Sequence, residues 1–133
     1  MTKNAHPTAF PVLRYKDGTA ALAWLDRAFG FARRAAYEAP DGSIAHAELA
    51  HGNAMIMVGS GPADPANAWS TVRQGIYVRV DDVDAHHARA RAAGAEIVRP
   101  LADTDYGARK YSVRDLEGNL WSFGTYDPWA QGS

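Results

Sequence analysis

His46 and Glu48 are the residues whose types and spacing come nearest to acid–base chemistry. They stand two apart in Ile44-Ala45-His46-Ala47-Glu48-Leu49, so a strand through this run puts both on one face. An imidazole beside a carboxylate can relay protons near neutral pH. The same alternation suits a pair that bridges neighbouring strands on a solvated face, and both readings stand. The other histidines form no metal-binding spacing. His86 and His87 are adjacent, so on a helix they point about 100° apart and read as surface residues. His51 precedes a turn glycine and reads as exposed, and His6 falls in an N-terminal stretch expected to be disordered. The chain has no cysteine, which removes thiolate zinc sites, disulfides and cysteine nucleophiles together. Ser43, Ser60, Ser70, Ser112 and Ser122 all lack the Gly-x-Ser-x-Gly context of an activated serine. Gly59-Ser60-Gly61 is too short for a phosphate loop. Arg109, Lys110 and Arg114 cluster on one run, with Arg14 and Arg79 at matching places earlier. They would hold an anionic group or pair with Asp103, Asp105, Asp115 and Glu117.

Composition limits the possible partners. The 133 residues carry 14 Lys and Arg against 15 Asp and Glu, a net charge of −1. A nucleic-acid surface needs clustered cations that this balance does not supply. With 47% hydrophobic and 22% charged residues the chain reads as globular, of a length for one domain. No apolar run approaches the roughly 20 residues of a membrane helix. The N-terminus shows no apolar signal core, so a cytoplasmic location is expected.

The elements that must position these residues follow from periodicity and punctuation. Residues 9–15 read as a strand, with Pro11 marking an edge or bulge. A helix capped by Asp17 or Thr19 follows, with Ala21, Leu22, Trp24, Leu25, Ala28 and Phe29 as its apolar stripe and Gly30 as its stop. Strands at 32–38 and 43–50 flank Asp41-Gly42, a hairpin signal, and a buried strand occupies 54–58. The order then repeats. A strand at 75–80 precedes a helix capped near Asp81-Asp82, running to Ala93 and stopped by Gly94. Strands at 95–99, 109–114 and 120–125 close the chain, with Glu117-Gly118-Asn119 as the last turn. Leu13-Arg14-Tyr15-Lys16-Asp17 aligns with Val78-Arg79-Val80-Asp81-Asp82, and His51-Gly52-Asn53 with Glu117-Gly118-Asn119. The domain thus reads as one βαβββ unit used twice: a module at about 8–59, a linker at about 60–73 that carries Trp69, and a module at about 74–126. Each sheet buries one face under its helix. Two such α+β modules side by side would make a half-barrel around a central cleft lined by alternate strand residues.

This arrangement resembles the vicinal oxygen chelate superfamily, the glyoxalase, bleomycin-resistance and extradiol-dioxygenase group. The resemblance rests on Ala28-Phe29-Gly30-Phe31, Asp41-Gly42 followed by His46-Ala47-Glu48-Leu49, and Val80-Asp81-Asp82-Val83-Asp84. Ala92-Ala93-Gly94-Ala95, Tyr106-Gly107 and the run Tyr111 to Asn119 complete it. It implies a homodimer in which modules of two chains can share one cleft. Metal-dependent members place His, Gln or Glu at four strand positions. Carried onto this chain, these positions are Phe10, Met57 (or Ile56 after a shift of one), Gly75 and Ser122. None is a ligand for a divalent cation that wants imidazole or carboxylate, so no metal and no cofactor are expected.

Strand parity then gives a different cleft. With Ser122 inward, as the resemblance implies, Leu120, Phe10, Val12, Met55, Met57, Gly75 and Tyr77 face inward too, and Trp121 packs outward into the core. Trp69 and Tyr106 add aromatic surface from loops, and His46 and Arg109 add polar contacts. The expected ligand-binding set is therefore Phe10, Val12, His46, Met55, Met57, Trp69, Tyr77, Tyr106, Arg109 and Ser122, with His46 and Glu48 as the catalytic candidates. Such walls suit a flat or hydrophobic small molecule, and Met55 and Met57 give them adaptability. The expected function is metal-independent binding of a small molecule, an aromatic or antibiotic-like compound that the protein sequesters, as in antibiotic resistance. The alternative is a metal-dependent lyase, isomerase or dioxygenase of the same superfamily.

Overall fold

The structure, a computed structural model, describes residues 7–130; His6 lies outside them. The chain divides into two compact units, with the boundary between Gln74 and Gly75. Each is a four-stranded sheet with one helix packed on it, in the order βαβββ.

In the first unit β1 (Val12–Tyr15), β2 (Ala32–Glu38), β3 (Ile44–His51) and β4 (Ala54–Ser60) lie in the order β1-β4-β3-β2. β1 runs parallel to β4, and the other pairs are antiparallel. The strand expected over 9–15 begins only at Val12. Pro11 has no N–H to donate, although its carbonyl still accepts the Met57 N–H at 2.9 Å. The Asp17 carboxylate caps helix α1 (Gly18–Trp24), accepting the Ala20 N–H at 3.0 Å. The helix then widens into a π turn over Leu25–Phe29 and stops at Gly30, whose φ of 81° suits a residue without Cβ. Its apolar stripe buries Leu22, Leu25, Ala28 and Phe29 against Leu13, Tyr15, Leu49, Ile56 and Val58 of the sheet. Trp24 stacks edge-on to Phe29 at 4.9 Å. Each large side chain so buried contributes about 1.5–3 kcal/mol.

The second unit has β5 (Gly75–Arg79), α2 (Val83–Ala92), β6 (Glu96–Asp103), β7 (Arg109–Arg114) and β8 (Leu120–Gly124), with strand order β5-β8-β7-β6. The Asp82 carboxylate caps α2 as Asp17 caps α1, accepting the Ala85 N–H at 3.0 Å. The face of α2 toward the sheet offers little apolar volume, chiefly Val83 and Ala90. The sheet supplies the bulk instead, through buried Tyr111, Val113, Trp121 and Phe123. Trp121 and Phe123 are parallel at 5.9 Å. His86 is buried among them rather than exposed: its ring lies 4.1 Å from Phe123, and its Nδ1 is 2.6 Å from the Tyr111 hydroxyl. The turn before β8 is built on Asp115, a buried carboxylate that accepts the Glu117 and Asn119 N–H groups and the Trp121 indole N–H, each at 3.0 Å. Among the described residues no helix is long and apolar enough to cross a membrane.

Candidate functional site

Side chains of a strand alternate between faces, and the strand registers show which residues share one. In the first unit Leu13, Tyr15, Ala47, Leu49, Ile56 and Val58 lie under the helix and are buried. The opposite face carries the row Val12, Met57, Glu48 and Ala35, paired in register across all four strands. Met55 pairs with Ala50 one step along. In the other direction Arg14 pairs with Gly59, and His46 with Tyr37. His46 Nε2 meets Glu48 Oε2 at 3.0 Å, and both side chains are part-exposed. Tyr37, 61% exposed, stacks on the His46 ring at 6.2 Å and 20°. An acid–base pair, an aromatic platform and thioether surface therefore share one face.

Arg14 adds an unusual feature to this face. Its Nε is buried and has no hydrogen-bond partner. The side chain lies along Gly59 and Gly61, and a Cβ at Gly61 would overlap its Nη2. Phe10, 40% exposed, precedes the strand rather than belonging to it. The stretch expected to be a bare linker has structure of its own. Asn67 accepts the Trp69 N–H at 3.1 Å and opens a 3-10 turn, Ala68–Ser70. Buried Ser70 ties that turn to the Asp64 and Asn67 carbonyls. Trp69 itself is 60% exposed.

In the second unit the face away from α2 carries Tyr77, Ser122, Ser112 and Arg99 in one row. Arg79 and Gly124 pair in the next row, as do Gly124 and Lys110. The Ser112 and Ser122 hydroxyls are 2.6 Å apart. Tyr77 donates its hydroxyl to the Tyr126 carbonyl at 2.6 Å, and the two rings are 6.5 Å apart. Tyr106 meets Tyr126 edge-on at 5.7 Å. Tyr126 thus joins two of the expected ligand-binding tyrosines, and sequence reasoning missed it because it lies beyond β8, outside any alternating run. Burial and the neighbouring Tyr106 push the Tyr77 phenol above the usual tyrosine range. Gly124 makes the cluster possible: a Cβ there would stand 2.8 Å from Lys110 Cβ and 3.1 Å from the Tyr77 hydroxyl.

Arg109 does not join these residues. It shares the parity of buried Tyr111 and Val113, on the face toward α2. Its guanidinium is held by Asp84 at 2.9 Å and Asp103 at 2.8 Å. Those two bonds, Asp103 first, push its pKa upward. Arg79 pairs with Asp81 and Arg114 with Glu96. Asp115, expected among the arginine partners, accepts from the Trp121 indole and from amides of its own turn.

The four positions that the resemblance assigns to metal ligands hold Phe10, Met57 (or Ile56), Gly75 and Ser122, and the Ser122 hydroxyl is engaged by Ser112. This donor set does not fit a divalent cation. Among the described residues no three His, Asp or Glu side chains converge elsewhere as a metal site.

Comparison with known proteins agrees with this architecture. The family model described as Glyoxalase/Bleomycin resistance protein/Dioxygenase superfamily matches residues 5–123. An uncharacterized protein of Mycobacterium bovis is 31% identical over 132 residues, covering 93% of this chain and 86% of its own. The crystal structure of TioX from Micromonospora sp. ML1 superposes with a TM-score of 0.73 at 42% identity, covering 87% of this chain and 97% of its own. The fosfomycin resistance protein FosX from Mesorhizobium loti shares the fold, with a TM-score of 0.67 at 16% identity over 98% of both chains.

Proposed function

Because the chain belongs to the Glyoxalase/Bleomycin resistance protein/Dioxygenase superfamily, and its residues at the ligand positions of metal-dependent members suit no cation, we propose that it is a metal-independent small-molecule-binding protein that sequesters an aromatic or antibiotic-like compound. The observation that carries this reading is the chemistry of the sheet faces turned away from the helices. Where an ion would need imidazole or carboxylate there stand Met57, beside Val12, and Ser122, beside Tyr77.

These faces are suited to flat ligands. Tyr37 stacked on His46, and the trio Tyr77, Tyr126 and Tyr106, present ring faces and edges that are already packed and lose little freedom when a ligand stacks on them. Each such aromatic contact contributes about 0.5–1.5 kcal/mol beyond the area it covers. Met55 and Met57 adapt to ligand shape. The His46–Glu48 pair on the face of the first unit and the Ser112–Ser122 hydroxyls on that of the second each offer polar contacts that can orient a ligand. With its Nε2–H donated to the Glu48 carboxylate, the neutral His46 ring leaves Nδ1 as an acceptor for a ligand.

The test is a fluorescence titration of the protein against a library of flat aromatic compounds, read at exposed Trp69 with Trp69→Phe as the control for the other three tryptophans. A saturable shift with at least one compound, absent in the control, is expected. No saturable change across the library contradicts the reading.

A further inference from the structure

The β6–β7 pairing of the second unit shifts register at two places, between Ile97 and Arg99 and between Arg99 and Ala102, and a hollow opens beside the second. Arg99 pairs with Ser112 and Ala102 with Lys110, so Pro100 and Leu101 together face Tyr111 alone. This is a β-bulge, an irregularity that re-aims side chains and recurs beside binding sites. Pro100 suits it, because proline has no N–H to give the ladder. The hollow holds about 440 Å³ and is bordered by Arg99, Thr104, Lys110 and Ser112 among others, which is room for a small molecule and not only an ion.

The charges around the hollow are unevenly satisfied. Four arginines lie on strands of this unit, and Arg79, Arg109 and Arg114 each hold a carboxylate. Arg99 does not, nor does Lys110; neither side chain has a partner among the described residues. Asp103 also borders the hollow, but its carboxylate is taken by Arg109, which Asp84 holds from the other side. Arg109, Asp103 and Asp84 pair on the side toward α2, so Arg99 and Lys110 leave the balance on the opposite face positive. Ser112 places a hydroxyl between the two free cations, and its bond to Ser122 fixes that hydroxyl. Gly124, opposite Lys110, leaves the stem of the lysine against bare backbone and the Tyr77 hydroxyl close by.

The geometry points to an anion-binding subsite: Arg99 and Lys110 grip an acidic group, carboxylate or phosphate, of an aromatic ligand that meets Tyr77 on the same face. This assigns a ligand class to the binding function proposed above and rests on that reading. A guanidinium and an ammonium without carboxylate partners, flanking a serine hydroxyl, supply charge-assisted bonds to such a group, and no internal ion pair must break first.

Three probes of one shape test the assignment: benzoate, phenyl phosphate and uncharged benzamide, titrated into the isotope-labelled full chain and followed by amide shifts. Benzoate or phenyl phosphate is expected to bind at least about tenfold more tightly than benzamide, with the largest shifts from Arg99 to Thr104 and from Lys110 to Ser112. Which of the two binds decides between carboxylate and phosphate. The preference should shrink as salt is added and vanish in Arg99→Met/Lys110→Met, whose folding the same spectra verify. Benzamide binding as tightly as both anions, or an anion preference that survives the double substitution, overturns the subsite and leaves the binder reading standing. Failure of all three probes, and of the wider aromatic library, defeats both.

Discussion

Gly124 and Asp115 are single residues on which much of the second unit depends. At Gly124 a methyl group would press on Lys110 Cβ and the Tyr77 hydroxyl, so Gly124→Ala should cost about 1–3 kcal/mol and separate Tyr77 from Tyr126. Thermal unfolding and tyrosine ring shifts would read both effects. Asp115→Ala strands the Trp121 indole N–H and two turn amides in a buried place. Each buried donor left without a partner costs about 1–3 kcal/mol, so this substitution should be the more damaging. The tyrosines also set a pH dependence. Burial raises the Tyr111 phenol far above its ordinary range and, to a lesser degree, that of Tyr77. The folded chain then keeps protons that the unfolded chain releases near pH about 10. This contribution to stability is complete below that pH and is lost as pH rises above it. Denaturant midpoints should fall between pH about 8 and about 11, and Tyr111→Phe should flatten the decline while removing the bond to His86.

Elements show the repeat most plainly. Asp17 and Asp82 stand at the same step of their modules, and each accepts an N–H three residues on at 3.0 Å. Asp17→Ala and Asp82→Ala should each cost about 1 kcal/mol, and similar shifts in denaturation midpoint would confirm that the caps are equivalent. Both caps were legible in the sequence, as were β2 and β7 to the residue, because Asp41-Gly42, Gly94 and Glu117-Gly118-Asn119 punctuate the chain strongly. What misled had a physical origin in each case. Alternation carries on through Pro11, so β1 read longer than a residue without an N–H permits. Helix α2 offers little apolar volume, so His86 read as solvated, whereas its imidazole fills the space on Phe123. Arg109 read as a ligand contact, although its parity with Tyr111 turns it toward α2. Alternation, once the family resemblance turns Ser122 inward, assigns Val12, Met55, Met57 and Ser122 to the faces away from the helices. The tyrosine trio could not be read this way, because Tyr106 and Tyr126 sit in loops whose approach depends on tertiary packing. The bulge at Pro100 and the hollow beside it were equally hidden, since a strand's interruption depends on its partner's register.

At the scale of the whole molecule, the chain carries the fold of its superfamily, and the proposal is that residues unsuited to a cation stand where metal-dependent members bind one. The proposal includes a homodimer, supported by large apolar side chains left exposed on the described surface, among them Leu116, Leu120 and Val98. Light scattering should return about twice the chain mass of 14.4 kDa; the mass of one chain would remove that part of the proposal. The central claim concerns the faces that replace a metal centre, and one measurement bears on it most directly. An aromatic compound that shifts Trp69 fluorescence is titrated into chelator-treated protein, then into the same protein with zinc, manganese or iron restored. The account predicts one saturable affinity throughout, with amide shifts on a sheet face turned away from its helix, at Val12 and Met57 or at Tyr77 and Ser122. Affinity that vanishes with the chelator and returns with a divalent cation would contradict it.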